Sequence, residues 1–319
     1  MSDGDETRLI AIDWGTTAAR AYRLGSGGRV LGERSAPLGI QQIRNGAFGP
    51  ALVSLLGDWQ SLDVARLACG MIGSRQGWVE ASYHDCPVAV SVLASDLTYT
   101  PGREMAIVSG ITCRDEAGVP DVMRGEETQI VGLVDDAQMS ALVVQPGTHS
   151  KWTLIAPDAA GATIRGFATY MTGETFAVLR EHSILGRLMR PAETFEREAF
   201  EQGARRGLAA RSGGELLHQV FGARTLALFE ELHGEAIADY LSGLLIGAEV
   251  AAGARWAGAH ASRDHAVWLA GGEALCMRYA AVLRLADIDA RMAPPDVAAR
   301  GLWRLATHAG LVTNEAYIV

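Results

Sequence analysis

The chain is 319 residues long and 49% apolar, enough to build the cores of two domains of ordinary size. Its 28 basic and 37 acidic side chains leave a formal charge of −9, with the acids spread along the chain rather than collected in a tail. Nucleic acid and anionic membrane are not expected as partners, because either would need a basic patch to displace counterions or attract headgroups. Runs at 8–14 (RLIAIDW), 20–24 (RAYRL) and 29–34 (RVLGER), separated by turn residues that include the glycines of 25–28, predict a three-stranded meander. A helix near 47–57 follows, then a strand ending in RLACG, a segment around IGSRQGWVE, a strand over 105–110 and a helix over about 122–135. In short, the order is three strands, helix, strand, helix, strand, helix.

From 141 this order recurs. Strands are predicted at 141–147 (ALVVQPG), 151–156 (KWTLIA) and 162–170 (ATIRGFATY), and helical patterns fill about 173–254. A strand over 266–272 (AVWLAGG), a helix at about 273–285, a short strand near 287–292 and a last helix at 296–310 complete the chain. The expected organisation is two related α/β domains, 1–138 and 139–319, the second with a helical insertion at about 173–254 and a short polar junction near 136–141. A cleft between two such domains is the expected place for a site. The halves share no residue-level repeat; their common mark is a Gly-Thr turn after the first strand, DWGTT at 13–17 and PGTHS at 146–150.

A turn of this composition lets backbone N–H groups and hydroxyls approach an anion closely, since glycine places no Cβ in the way. Two of them could clamp a polyphosphate, through Gly15, Thr16 and Thr17 on one side and Gly147 and Thr148 on the other. Asp13 would then serve Mg²⁺, which takes oxygen ligands and keeps several waters. Alone, DWGTT reads equally as a hairpin in which Asp13 satisfies local amides. Neither the dinucleotide fingerprint GxGxxG nor the P-loop GxxxxGKS/T is present, which removes the two commonest rival nucleotide folds.

This element order with paired phosphate turns resembles the actin, hexokinase and Hsp70 ATPase superfamily, whose members close two ribonuclease H-like domains over a nucleotide cleft. More narrowly, DWGTTAARAY, ACGMIGSRQGW, DVMRGEETQIVG, PGTHSKW, MTGETF, HSIL and YLSGLLIGAE, running from residue 12 to about 250, resemble in this order the signature stretches of the 2-dehydro-3-deoxygalactonokinases. The resemblance implies a sugar-acid kinase that uses ATP and Mg²⁺ to phosphorylate the 6-hydroxyl of 2-dehydro-3-deoxy-D-galactonate. It also places an adenosine pocket at Gly271 and Gly272, which end a strand and open a helix.

The remaining residues can be weighed against that chemistry. Phosphoryl transfer needs an in-line hydroxyl, neutralised phosphates and often a carboxylate to accept the hydroxyl proton. DVMRGEETQI offers Asp121, Glu126 and Glu127 at a predicted helix start; Glu126 is the first choice and Asp121 the second. As plain structure, Asp121 would be an N-cap and the glutamates dipole partners. A sugar acid's carboxylate calls for a bidentate arginine, Arg75 or Arg124, and its carbon face could stack on Trp78. In PGTHSKW, Lys151 or His149 would lie near the transferred group or the substrate.

The four cysteines, Cys69, Cys86, Cys113 and Cys276, lack metal-finger spacing and read as reduced thiols of a cytoplasmic protein. No signal sequence is evident, and no apolar run approaches the about 20 residues of a membrane helix. The oligomeric state is open, a homo-oligomer included. A phosphoanhydride hydrolase resembling exopolyphosphatases on the same fold is the alternative, suggested by the Gly-Glu-Glu stretch. A sugar-sensing regulator would need a DNA-binding segment, for which the 8 residues before the first strand leave no room.

Overall fold

The computed structural model describes residues 6–134, 139–159, 161–260 and 265–313. It divides into two compact units, Met1–Met139 with Ile155–Gly166 and Pro294–Val319, and Ser140–Leu154 with Phe167–Ala293.

The first unit opens with the expected meander, β1 (Leu9–Trp14), β2 (Ala19–Leu24) and β3 (Val30–Ala36). β1 pairs antiparallel with β2 and parallel with β4 (Ala65–Cys69), so both its edges are hydrogen-bonded, and Leu9 to Ile12, which point alternately to the two faces of the sheet, are all fully buried. That is why it reads as an unbroken apolar run. α1 (Phe48–Leu56) lays Leu52, Leu55 and Leu56 into a core with Ile10, Ile12, Trp14 and Ile72.

Beyond β4 the chain departs from expectation. The IGSRQGWVE segment makes one 3₁₀ turn, Met71–Gly73, and then folds tightly on itself: a Cβ on Gly77 would stand 2.1 Å from the Ile72 carbonyl oxygen. Short elements follow, β5 (Tyr83–Asp85), β6 (Val88–Ala89), α2 (Val90–Ser95), β7 (Thr98–Tyr99), β8 (Ala106–Ile107), β9 (Gly110–Arg114), β10 (Pro120–Met123) and α3 (Glu126–Leu133). The main sheet has the order β3-β2-β1-β4-β8-β7, and β10-β9-β5 form a second, small sheet that sequence patterning does not anticipate. β10 pairs with β9 through residues 120–123, so α3 starts at Glu126 and not near 122; Gly125, at φ 108, makes the turn between them.

The second unit holds β11 (Ala141–Gln145), β12 (Ser150–Asp158), β13 (Gly161–Tyr170), α4 (Thr172–His182), α5 (Arg197–Leu208), α6 (Gly213–Leu228), α7 (Ile237–His260), β14 (Ala266–Leu269), α8 (Glu273–Leu285) and β15 (Ala290–Met292). Its strands run in the order β15-β14-β11-β12-β13. The far end of the β12–β13 hairpin, 155–166, belongs to the first unit, where Thr163 and Ile164 pair with Ala89 and Val88 of β6.

The stretch Ile237–Ala259 of α7 does reach the length and apolarity of a membrane span, contrary to the sequence expectation, yet 78% of it is buried. It is a core helix. Gly203 and Gly207 of α5 face Gly243 and Gly247 of α7, and a Cβ on any of the four would fall within 2.4 Å of a carbonyl oxygen on the other helix.

The last helix, α9 (Val297–His308), returns to the first unit and packs backbone against backbone on α3: a Cβ on Gly301 would lie 1.9 Å from the Thr128 oxygen, and one on Gly132 1.9 Å from the Val297 oxygen. This corrects the sequence-drawn boundary. A division at 138/139 leaves α9 and the hairpin tip on the wrong side, because consecutive chain was assumed to share one core.

Candidate active site

In the first unit the site begins at the turn between β1 and β2. Gly15 N–H donates to the Ala18 oxygen at 2.9 Å, and Thr16 and Thr17 are left exposed. Gly39 supports the turn from below, so closely that a Cβ would meet the Thr16 oxygen at 2.3 Å. Asp13, at the end of β1, pairs in register with Cys69 of β4, whose sulfur lies 4.0 Å from Asp13 Oδ1. After Cys69, Gly70 adopts φ 91 and passes so near β1 that a Cβ would stand 2.8 Å from the Trp14 oxygen and 3.4 Å from Asp13 Oδ1. Gly125 closes the group, since its own Cβ would be 3.1 Å from Gly70 Cα. Two adjacent glycines thus bring the end of β1 and the start of α3 together.

The consequence is a concentration of carboxylates. Burial pushes the Asp13 carboxyl above its ordinary pKa; Arg20 opposes the shift and Glu126 adds to it. Glu127 is fully buried, and burial, reinforced by the charge of Glu126, raises its pKa to about 7. It accepts hydrogen bonds from Gly125 N–H at 2.7 Å and from the Thr128 hydroxyl at 3.0 Å. Glu126 is partly exposed, and its Oε2 accepts the Arg124 N–H at 3.0 Å. Carboxylates crowded at a helix start beside an exposed Gly-Thr turn suit a hard, oxygen-seeking cation better than any softer metal. Among the described residues no group of three or more His, Cys, Asp or Glu could hold a metal ion by itself.

In the second unit, Gly147 and Thr148 lie at the β11–β12 turn with Thr148 exposed. The start of α4 is fastened to this turn. Glu174 N–H donates to the Thr148 oxygen at 3.0 Å, and Gly173 abuts it so that a Cβ would meet the Gly147 oxygen at 2.3 Å. Gly271, at φ 151, sits where a Cβ would be 3.2 Å from the Pro146 oxygen, and Gly272 is the N-cap of α8. The turn opens beside a cavity of about 270 Å³, lined among others by Gly147, Thr172, Gly173, Asp239, Ser242 and Arg278. Arg278 bridges Asp239 Oδ1 at 3.0 Å and the Ser242 hydroxyl at 3.1 Å, which fixes the polar edge of that cavity.

Other expected site residues stand elsewhere or are otherwise engaged. Asp121 is on β10, not at a helix start; its carboxylate accepts the Val122 N–H at 2.8 Å, and its helix-capping reading is replaced by a strand position. Arg75 is an exposed cation 3.4 Å from Glu80. Trp78 stacks on Phe48, centroids 6.1 Å apart, as an anchor of the first core. Arg124 is buried, lies over the Tyr83 ring at 4.2 Å and donates to the Ala81 oxygen at 2.8 Å, so much of its guanidinium serves to hold the chain around β5. Lys151 is not at the turn tip: it is buried on β12, with Nζ donating to the Thr169 hydroxyl at 2.7 Å. His149 is half exposed and bonded to Glu174.

Two glutamates were not singled out from sequence. Glu174 lies in the MTGETF stretch, where its spacing after Gly173 was the available signal. Glu249 is buried on α7, and burial raises its pKa. It accepts from Trp152 Nε1 at 2.8 Å and the Tyr279 hydroxyl at 2.6 Å, a network that fixes the start of β12; nothing in a helix of small apolar residues announces it.

Comparisons with known proteins give the family and the fold. The family model described as 2-keto-3-deoxy-galactonokinase matches residues 13–305. The 2-dehydro-3-deoxygalactonokinase of Escherichia coli (strain K12) is 34% identical over 302 residues, covering 95% of this chain and 98% of that protein. A crystal structure from Sinorhizobium meliloti, provisionally named a 2-dehydro-3-deoxygalactonokinase, superposes with a TM-score of 0.83 at 32% identity over 94% of this chain and 98% of that one. Gluconate kinase from Lactobacillus acidophilus, 10% identical with a TM-score of 0.51 over 96% of this chain and 90% of that one, shares the fold. The fold is that of the actin-like ATPase sugar kinases, and the chain belongs to the 2-keto-3-deoxy-galactonokinase family.

Proposed function

We propose that this chain transfers the γ-phosphoryl group of ATP to the 6-hydroxyl of 2-dehydro-3-deoxy-D-galactonate. The observation that carries the reading is the group of Asp13, Gly70, Gly125 and Glu126, where two glycines without Cβ atoms bring a strand-end carboxylate to a helix-start carboxylate. Family membership over residues 13–305 supplies the reaction class and the sugar acid.

Asp13, with Thr16 and Thr17 nearby in sequence, would hold Mg²⁺ with the phosphates; the ion would neutralise charge on the phosphoryl oxygens. Within the first unit, Gly15 and the two hydroxyls would offer amides and hydroxyls to phosphate oxygens; within the second, taken by itself, Gly147 and Thr148 would offer the same. The cavity beside Gly147, with the Asp239–Arg278 pair at its edge, would take the nucleoside, Gly271 and Gly272 leaving room for it. Glu126 is the better base. It is partly exposed, whereas Glu127 is sealed and Asp121 is on a strand. Arg75 and Arg124 are the candidates for the substrate carboxylate; Arg75 is the accessible one and would have to leave Glu80. We place the enzyme in the cytoplasm.

ADP release from MgATP by the purified chain tests the reading, measured with 2-dehydro-3-deoxy-D-galactonate, its gluconate epimer, galactonate or no acceptor. Turnover is expected only with the keto-acids, highest with the galacto epimer, and Glu126→Gln should cut it at least about a hundredfold, the scale of general-base catalysis. Equal ADP release without acceptor would instead identify a hydrolase.

A further inference from the structure

Helix α6 carries two apolar stripes, and the core of its unit uses one of them. Leu216, Val220, Ala223 and Ala227, spaced by four, three and four residues, turn inward and pack against the cluster around Tyr240 and Leu244. One position further along, Leu217, Phe221 and Leu228 repeat that spacing with Arg224 in the remaining place, and all three apolar side chains are exposed, Leu217 at 77%. Phe229, at the C-cap, is 76% exposed and extends the stripe. Single apolar residues on a surface need no explanation, but a stripe along the whole of a 16-residue helix, about 24 Å, marks an interface. The charges at its two ends say what fits there. Arg211 stands exposed just before α6, and Glu230 and Glu231 stand exposed just after it. Glu215, the acid of the first turn, is bent back onto the Arg211 N–H. A helix that is basic at one end and acidic at the other, with an apolar stripe between, complements itself when turned end for end.

We propose that the outer stripe of α6 binds a second copy of this chain, the two α6 helices pairing antiparallel about a two-fold axis that passes between residues 222 and 223. The four-three-four spacing is that of a helix–helix seam. In this register Leu217 meets Leu228 of the partner subunit, Phe221 lies against the guanidinium of the partner's Arg224, and Arg211 reaches Glu231 of the partner subunit. Each of these contacts is made twice. A parallel pairing would instead set Arg211 against its own copy and the acids against theirs, so the charges choose the antiparallel one. The inference does not depend on the kinase reading, since no residue of the stripe is assigned to the reaction.

Sedimentation velocity of the full chain tests it, over concentrations from about 1 to about 100 µM, the range in which a modest interface declares itself. The parent should sediment increasingly as a dimer. Leu217→Glu combined with Phe221→Glu should sediment as a monomer throughout and melt with the parent, because exposed side chains support no core. Arg211→Glu alone and Glu231→Arg alone should each weaken the dimer about threefold or more, and the two together in one chain should recover it, since the two-fold axis sets each position against the other. The register is read by cross-linking. Leu217→Cys chains mixed with Leu228→Cys chains should join through a disulfide in oxidised glutathione, above the background of the parent's own cysteines. Leu217→Cys chains alone should not, because their new thiols would stand about 16 Å apart along the helices. A monomer at every concentration would overturn the proposal. So would a dimer that survives Leu217→Glu with Phe221→Glu, which would place the interface elsewhere, or one that cross-links through position 217 alone, which would make the pairing parallel.

Discussion

Glu127 shows how strongly one buried carboxyl can couple the site to pH. Its folded-state pKa of about 7 stands above the ordinary 4.5 because burial, and then Glu126, disfavour its charge. The native chain therefore holds an extra proton between those values. Stability from this group is complete below about pH 4.5 and is lost as pH rises through about 7, a change on the order of 3 kcal/mol. Glu127→Gln keeps an acceptor for the Gly125 N–H and has no charge to bury. Its melting temperature should exceed that of the parent at pH 8, and the difference should vanish or reverse by pH 5; parallel melting profiles across that range would show that the carboxyl is ionised in the fold without cost. Residues of this kind also mark what sequence could show. The turns that carry Asp13, Thr16, Gly147 and Thr148 were legible because a glycine beside small polar residues at a strand end marks a tight turn with bare backbone. The contrast between Glu126 and Glu127 was not, since neighbouring residues on a helix face different surroundings and only the packing of the unit decides which is sealed. The same limit applies to Arg75 and Arg124, one at the surface and one stacked on Tyr83.

Helix α3 owes its place to α9. Gly132 and Gly301 let the two backbones touch, and a methyl at Gly301 would stand 1.9 Å from the Thr128 oxygen, two residues from the proposed base. Gly301→Ala must push the helices apart, at a cost of about 1–3 kcal/mol or more, because the atom it meets is backbone and cannot rotate away. Displacement of α3 would carry Glu126 with it, so kcat should fall even in the fraction that remains folded. Gly258→Ala on α7 is the control of opposite sign: nothing lies within 4 Å of its Cβ position, and alanine favours helix by about 1 kcal/mol. Chemical denaturation of the two variants should therefore move in opposite directions, and unchanged stability in Gly301→Ala would show that the seam can open without loss. Sequence periodicity finds such elements when neighbours in the chain pair with each other, as in the β1–β2–β3 meander. It fails where pairing is non-local and short. β5 and β9 pair over three residues from segments 25 positions apart, and β10 displaced the expected start of α3 by pairing backward onto β9.

At the scale of the whole molecule, the decisive feature is that the first unit is made of three separate stretches of chain, 1–139, 155–166 and 294–319. Every residue proposed for its part of the site comes before 127, yet its core is finished only by α9, where Val297, Leu302, Trp303 and Leu305 are buried. β6 likewise needs Thr163 and Ile164 from the β12–β13 hairpin for its partner. A fragment ending at 138, the boundary that consecutive sequence suggests, would expose α3 along the α9 seam and leave β6 unpaired. A chain ending at 293 would keep every proposed site residue and still lose α9. Both are expected to lack a cooperative thermal transition at the temperature where the full chain melts and to expose apolar surface to a hydrophobic dye, because removing a helix with eight buried residues costs more than the marginal stability of a domain. A chain ending at 313 retains α9 whole and serves as the comparison for the cut at 293. If the 293 chain melted cooperatively near the temperature of the 313 chain, α9 would be an accessory to a first unit already complete, and its glycine seam with α3 would have to be explained by something other than the folding of that unit.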